Sequence, residues 1–216
     1  MSSITPTRAK PEIEYPETDG KPIADNTKQY EYIVMIKGGV DAVFRDNPNV
    51  FVAADLFWYP VQGDNKTRTA PDTMVAFGRP KGHRRSYLQW LEGNIAPQVV
   101  FEILSKSNRG KALALKFDFY ERYGVEEYYI YDPDKGTLAG WLRKQDQLAA
   151  IAAMQGWVSP RLKVRFELQD RELALFGPDG KKFTTFAELV ELAKQGEERA
   201  AKLTAQLKSL GVEPEA

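Results

Sequence analysis

Val99-Val100-Phe101-Glu102-Ile103-Leu104 decides how this chain reads. The run is apolar on both of its alternating faces, so it reads as a strand inside a sheet and covered on both sides. Glu102 does not fit that pattern. A carboxylate there has to be paired, neutralised or bound to a metal, because an unpaired buried charge is very costly. Thirty residues upstream, Pro71-Asp72 heads a second apolar run, Thr73-Met74-Val75-Ala76-Phe77. Two acids on neighbouring strands can hold one hard divalent cation between them.

The flanking sequence supplies the surrounding elements. Asp25 or Asn26 caps a helix over residues 27–44, with Tyr30, Ile33, Val34, Val40 and Val43 on its packed side and Gly38-Gly39 weakening its middle. Residues 51–59 read as a strand ended by Pro60, and Gly63-Asp64-Asn65 as a turn. Residues 79–97 are an insertion of aromatic and basic character between the 72–77 and 99–104 strands. Residues 110–123 form a helix closed by Gly124, and 127–131 a strand ended by Asp132-Pro133-Asp134, which reads as a turn rather than a metal site. Strands over 137–143, 162–168 and 172–176 precede a final helix over 184–210. The order of helix, three strands, helix, strand predicts an α/β fold with a mixed β-sheet core, further C-terminal strands and a long C-terminal helix. The chain divides into an arm (1–22), a main domain (23–178) and a helical tail (179–216).

Bulk composition removes several kinds of chemistry. Thirty basic and thirty acidic residues give a formal net charge of +0, so any attraction for phosphate must come from local clustering. With no cysteine there is no thiolate nucleophile and no Cys-based zinc site. The one histidine, His83, lies in a polar stretch and reads as a surface loop residue. No secretory signal and no 18-residue apolar run appear, so the expectation is a cytoplasmic protein without a membrane span.

A carboxylate pair with a cation needs a positive group to complete phosphate chemistry, and Lys116 is the candidate. Its helical neighbours Ala112, Leu113, Phe119 and Tyr120 are apolar or aromatic, which puts it in or beside the core-facing stripe. Two placements are open: the ammonium snorkels past the rings to water, or it reaches the end of the Glu102 strand. The acids have bland alternatives too. Asp72 can cap a turn, and Glu102 can pair with an arginine elsewhere. Asp55 is a further acid within a strand. Two acid-free basic stretches, Arg79, Lys81, Arg84 and Arg85, then Lys106, Arg109, Lys111 and Lys116, follow the two acids and outline a phosphate-binding rim.

Pro71-Asp72, the run from Val100 to Ser107, Lys116 with Tyr120, and the run from Gly124 to Pro133 together resemble the Uma-type family of restriction endonucleases, abundant in cyanobacteria, over roughly residues 22–178. The resemblance implies the PD-(D/E)xK nuclease fold, Mg²⁺ or Mn²⁺ held by Asp72 and Glu102, and DNA as substrate. The usual nuclease lysine lies two residues after the glutamate, where this chain has Leu104. The family's lysine on the following helix points to Lys116. Many relatives carry an acid four residues before it, whereas this chain has Ala112.

A second reading is a catalytically weak or inactive nuclease-like protein that binds nucleic acid or a partner and assembles through its C-terminal helix. Phe186, Leu189, Ala193, Gly196, Ala200, Leu203, Leu207 and Leu210 follow the three-four spacing of a coiled-coil seam. The seam either docks on the chain's own domain or joins a partner, a homodimer being the expected assembly.

Overall fold

The computed structural model describes residues 13–20, 22–105 and 110–210. Lys106, Ser107 and Arg109, residues 1–12 and 21 of the arm, and residues 211–216 of the tail lie outside the described residues.

The first helix, α1 (Thr27–Val43), starts where Asn26 accepts a hydrogen bond from the Gln29 backbone N–H, satisfying one of the helix's free donors. The strands β1 (Val50–Ala53), β3 (Thr73–Phe77) and β5 (Val99–Ile103) follow, with the short strands β2 (Trp58–Tyr59) and β4 (Tyr87–Leu88) between them. The second helix, α2 (Lys111–Arg122), ends before Gly124, whose φ of 90° lies in the left-handed region glycine tolerates. Then come β6 (Glu127–Asp132), β7 (Thr137–Lys144), β8 (Gln147–Ala150), β9 (Trp157–Val158), β10 (Arg165–Gln169), β11 (Glu172–Phe176) and α3 (Phe186–Ser209).

The main sheet runs β1-β3-β5-β6-β7-β8. Only its β5–β6 pair is parallel, and α2 is the crossover that a parallel connection requires. This is the mixed α/β sheet that the order of elements predicts. β5 is buried along its whole length because both sheet faces are covered. Val99, Phe101 and Ile103 face a core shared with α1 (Ile33, Ile36, Val40) and with the antiparallel β11-β10-β9 sheet (Phe166, Leu173, Leu175). Val100 and Leu104 face the opposite core with Met74, Tyr128, Ile130 and the α2 residue Tyr120. Alternation along the strand puts Glu102 on this second face, under α2.

The structure corrects several expectations. The run 51–59 is two strands, because Asp55 turns the chain with φ 47°. Asp55 is therefore in a turn, not a strand. Tyr30 and Val34 are exposed, and the core side of α1 is carried by Gln29, Met35 and Ile36 as well as Ile33 and Val40. The strand expected over 162–168 begins at Arg165, and β8 and β9 were not anticipated. α3 has the capping box of Thr185 and Glu188, but none of its described residues is buried, so its seam is not docked on the rest of the chain. No described helix is long and apolar enough to cross a membrane.

Gly38-Gly39 has a packing reason. A Cβ on Gly39 would overlap the ring of the buried Phe183, whereas one on Gly38 would meet nothing within 4 Å. Gly38→Ala should therefore stabilise the protein by up to about 1 kcal/mol through helix propensity. Gly39→Ala should destabilise it by about 1–3 kcal/mol through overpacking. Urea denaturation of the two variants checks the opposite signs.

Candidate active site

β3 and β5 are antiparallel, with Thr73 opposite Phe101. One residue further along, Asp72 is level with Glu102, so both carboxylates belong to the α2-side face. Asp72 accepts a hydrogen bond from the Ile103 backbone N–H at 2.6 Å, which continues the ladder with a side chain just before β3 begins. Both acids are buried, Asp72 at 8% and Glu102 at 1% exposure. Like charges placed opposite each other on neighbouring strands repel, so this pair needs a counter-charge.

α2 supplies it. The Lys116 Nζ donates to both Glu102 oxygens, at 2.8 and 2.7 Å, and to the Ala70 carbonyl at 3.1 Å. Of the two placements open to Lys116, the ammonium takes the inward one. Glu102 pairs with this lysine and not with an arginine. One helical turn on, the Tyr120 hydroxyl donates to Glu102 Oε1 at 2.6 Å. Tyr120 is fully buried, stacked on Trp58 and edge-on to Tyr128. The sequence signals on Tyr120 are its four-residue distance from Lys116 and its place beside that lysine in the family resemblance; neither names Glu102 as its partner.

These contacts set the protonation states. Burial, reinforced by the Glu102 charge, pushes the Asp72 carboxyl up to about 8. Burial pulls on Lys116 in the opposite direction, but Glu102 and Asp72 outweigh it, and its pKa ends above the usual lysine value. Burial and then Glu102 raise the Tyr120 phenol well above its ordinary range, so Tyr120 remains a neutral donor. Asp55, in its turn beside the site, is raised to about 6 by desolvation first and Asp19 next, with Lys116 opposing.

The donor set fits a divalent cation. Two buried carboxylates lie level beside one ammonium that bonds Glu102, and burial drives Asp72 to hold a proton. No described group of three or more His, Cys, Asp or Glu residues is arranged to hold a metal. Two acids with water completing the shell is the pattern of Mg²⁺, which sheds its waters reluctantly. The Ile103 carbonyl, the backbone group that the strand offers, already accepts a hydrogen bond from Gln29 Nε2 at 2.9 Å.

The rim reading changes. Arg79 and Arg84 both pair with Glu92, Lys81 lies 3.7 Å from Asp41, and Arg85 pairs with Glu17. Arg79 and Arg84 are therefore tied into the fold, whereas Arg85 stays 85% exposed, and the stretch after Asp72 is not a continuous open rim. His83 lies exposed in that loop, as its sequence implies. Asp132 accepts from the Asp134 and Lys135 backbone N–H groups and forms the expected turn.

The raised Asp72 pKa has a consequence for stability without divalent ions. The folded state keeps a proton that the unfolded chain, titrating near the ordinary value of about 3.9, gives up. Stability therefore falls as pH rises from about 4 to about 8. Asp72→Asn keeps the acceptor and removes the titration. Its stability relative to wild type should grow across that window and level off above it. Urea denaturation at stepped pH in a chelator checks this; parallel profiles for the two proteins would contradict it.

Among proteins of curated function, none matches this sequence. A distant structural likeness is a solved chain described as "a putative nuclease belonging to DUF820 from Anabaena variabilis ATCC 29413", with 17% identity, a TM-score of 0.48, and coverage of 68% of this chain and 84% of that one. The family model Uma2, described as "Putative restriction endonuclease", matches residues 13–175, a span that holds Asp72, Glu102, Lys116 and Tyr120. The chain belongs to the Uma2 family.

Proposed function

We propose that this protein is a metal-dependent endonuclease that hydrolyses DNA phosphodiester bonds. The observation that carries the reading is the level pair of buried acids with a lysine held 2.7–2.8 Å from Glu102. Asp72 and Glu102 are the residues that would hold Mg²⁺ or Mn²⁺. Such an ion, when bound, supplies positive charge for a phosphate and lowers the pKa of a water molecule. To hold such an ion Asp72 would have to give up its proton, so occupancy of the site would depend on pH. Lys116, charged and tethered to the same face, orients the nucleophile or stabilises the charge that develops on the phosphate. Its position on α2 serves in place of the residue after next from Glu102, where Leu104 is buried in the core. Family membership supports nuclease chemistry, and the site supplies residues suited to it.

Conversion of supercoiled plasmid DNA in Mg²⁺ or Mn²⁺ tests the proposal. Wild type should nick the plasmid and chelator should abolish the activity. Asp72→Asn, Glu102→Ala and Lys116→Ala should each lose about 100-fold or more. Equal nicking by wild type and Glu102→Ala would mark a contaminant and remove the assignment.

One observation favours a second reading, in which a nuclease-like core without activity serves as an interaction protein. α3 leaves Phe186 at 77%, Leu189 at 54%, Leu203 at 52% and Leu210 at 77% exposure along one seam. A stripe of that size is unusual on a surface with no partner, and a lone helix gains most of its stability from packing. A second copy of α3 is the partner whose spacing matches, which makes the protein a homodimer in either reading. Deletion of residues 197–216 should convert it to a monomer by light scattering. An unchanged mass would exclude α3 from assembly.

A further inference from the structure

We infer that Tyr120 is a positioning residue that fixes which oxygen of Glu102 is available to a cation. The inference rests on the metal site proposed above and adds a residue to it. In the structure Lys116 engages both Glu102 oxygens, so a cation gains access only when the ammonium moves off. Tyr120 is not displaced by the same event. Its ring is fully buried between Trp58, Phe119 and Tyr128, with Trp58 stacked at an interplanar angle of 4°. Its hydroxyl remains on Oε1 at 2.6 Å. With Lys116 gone, Oε1 still accepts from Tyr120 and keeps one acceptor site, whereas both sites of Oε2 are open.

This arrangement carries a selectivity. Mg²⁺ demands near-ideal octahedral geometry, whereas Ca²⁺ accepts carboxylates through one or both oxygens at varied angles. A carboxylate held by a rigid phenol presents one oxygen in one direction, which suits the smaller ion. Without the phenol, Glu102 is free to rotate or to offer both oxygens, and Mg²⁺ loses most. Tyr128 provides a control in the same cluster. Its hydroxyl is buried too, but it has no hydrogen-bond partner and so does not hold Glu102.

Titration calorimetry of the full chain with MgCl₂ and with CaCl₂ tests this without any DNA cleavage. Tyr120→Phe keeps the ring and its packing. It should weaken Mg²⁺ binding by about tenfold to a hundredfold, the usual cost of losing a group that orients a metal ligand. Ca²⁺ binding should change by less than about twofold, in line with its geometric tolerance. Tyr128→Phe should leave both affinities unchanged. The ratio of the two affinities is insensitive to a fraction of unfolded protein, because that fraction lowers both signals together. Equal weakening of both ions in Tyr120→Phe, no change in either, or the same Mg²⁺ loss in Tyr128→Phe would overturn the role of Tyr120 alone. Wild-type protein that binds neither ion would overturn the metal site and this inference together.

Discussion

A single ammonium compensates the Glu102 carboxylate buried in the sheet, and much of this structure follows from that. Asp72 and Glu102 are level on adjacent antiparallel strands and face the same way. Lys116 is the cation within hydrogen-bond reach of Glu102 on that face, and it comes from α2, the crossover between the two parallel strands. Removing one member of such a buried pair typically costs about 3–5 kcal/mol, because the other is left uncompensated. The same contact sets the rotation of α2 about its axis. With Lys116 over Glu102, the position four residues on brings Tyr120 onto the same carboxylate, and Phe117 packs toward Tyr128 and Trp141.

The lysine on the helix in place of the strand changes what the site can do. A lysine at position 104 would lie on the acid-bearing strand itself. Here Leu104 fills the core, and the ammonium approaches from the neighbouring helix. The side chain of Lys116 retains 27% exposure while Glu102 has 1%. The pair thus has one partner fixed in the sheet and one with a route toward solvent. In the proposed metal site, a lysine placed like this would neutralise Glu102 until a divalent ion took its place.

Part of this was legible in the sequence, for definite physical reasons. Glu102 stood out because its neighbours on both sides were apolar, and Asp72 because it headed the next such run. The glycine at 124 marked the end of α2 because few other residues adopt its backbone conformation. Other features depend on tertiary contacts that no local pattern reports. The apolar run from Phe51 to Tyr59 continues across Asp55, and only the left-handed turn at that residue separates β1 from β2. Arg79 and Arg84 looked unpaired because Glu92 lies just beyond their stretch and folds back on them. Helix spacing narrowed Lys116 to two placements, and the register of α2 over β5 chose between them. The buried face of α1 includes Gln29, whose amide is satisfied by the Ile103 carbonyl, a contact with no sequence signature.

The central claim is that Lys116 occupies, on Glu102, a place that a divalent cation held by Asp72 and Glu102 would take. The most direct measurement is a crystal structure of the protein soaked in Mn²⁺, with diffraction recorded at a wavelength where manganese scatters anomalously. The account predicts an anomalous peak between the two carboxylates, with the Lys116 ammonium moved off Glu102 and Tyr120 still on Oε1. A map with no peak there and Lys116 still bound to both Glu102 oxygens would contradict it.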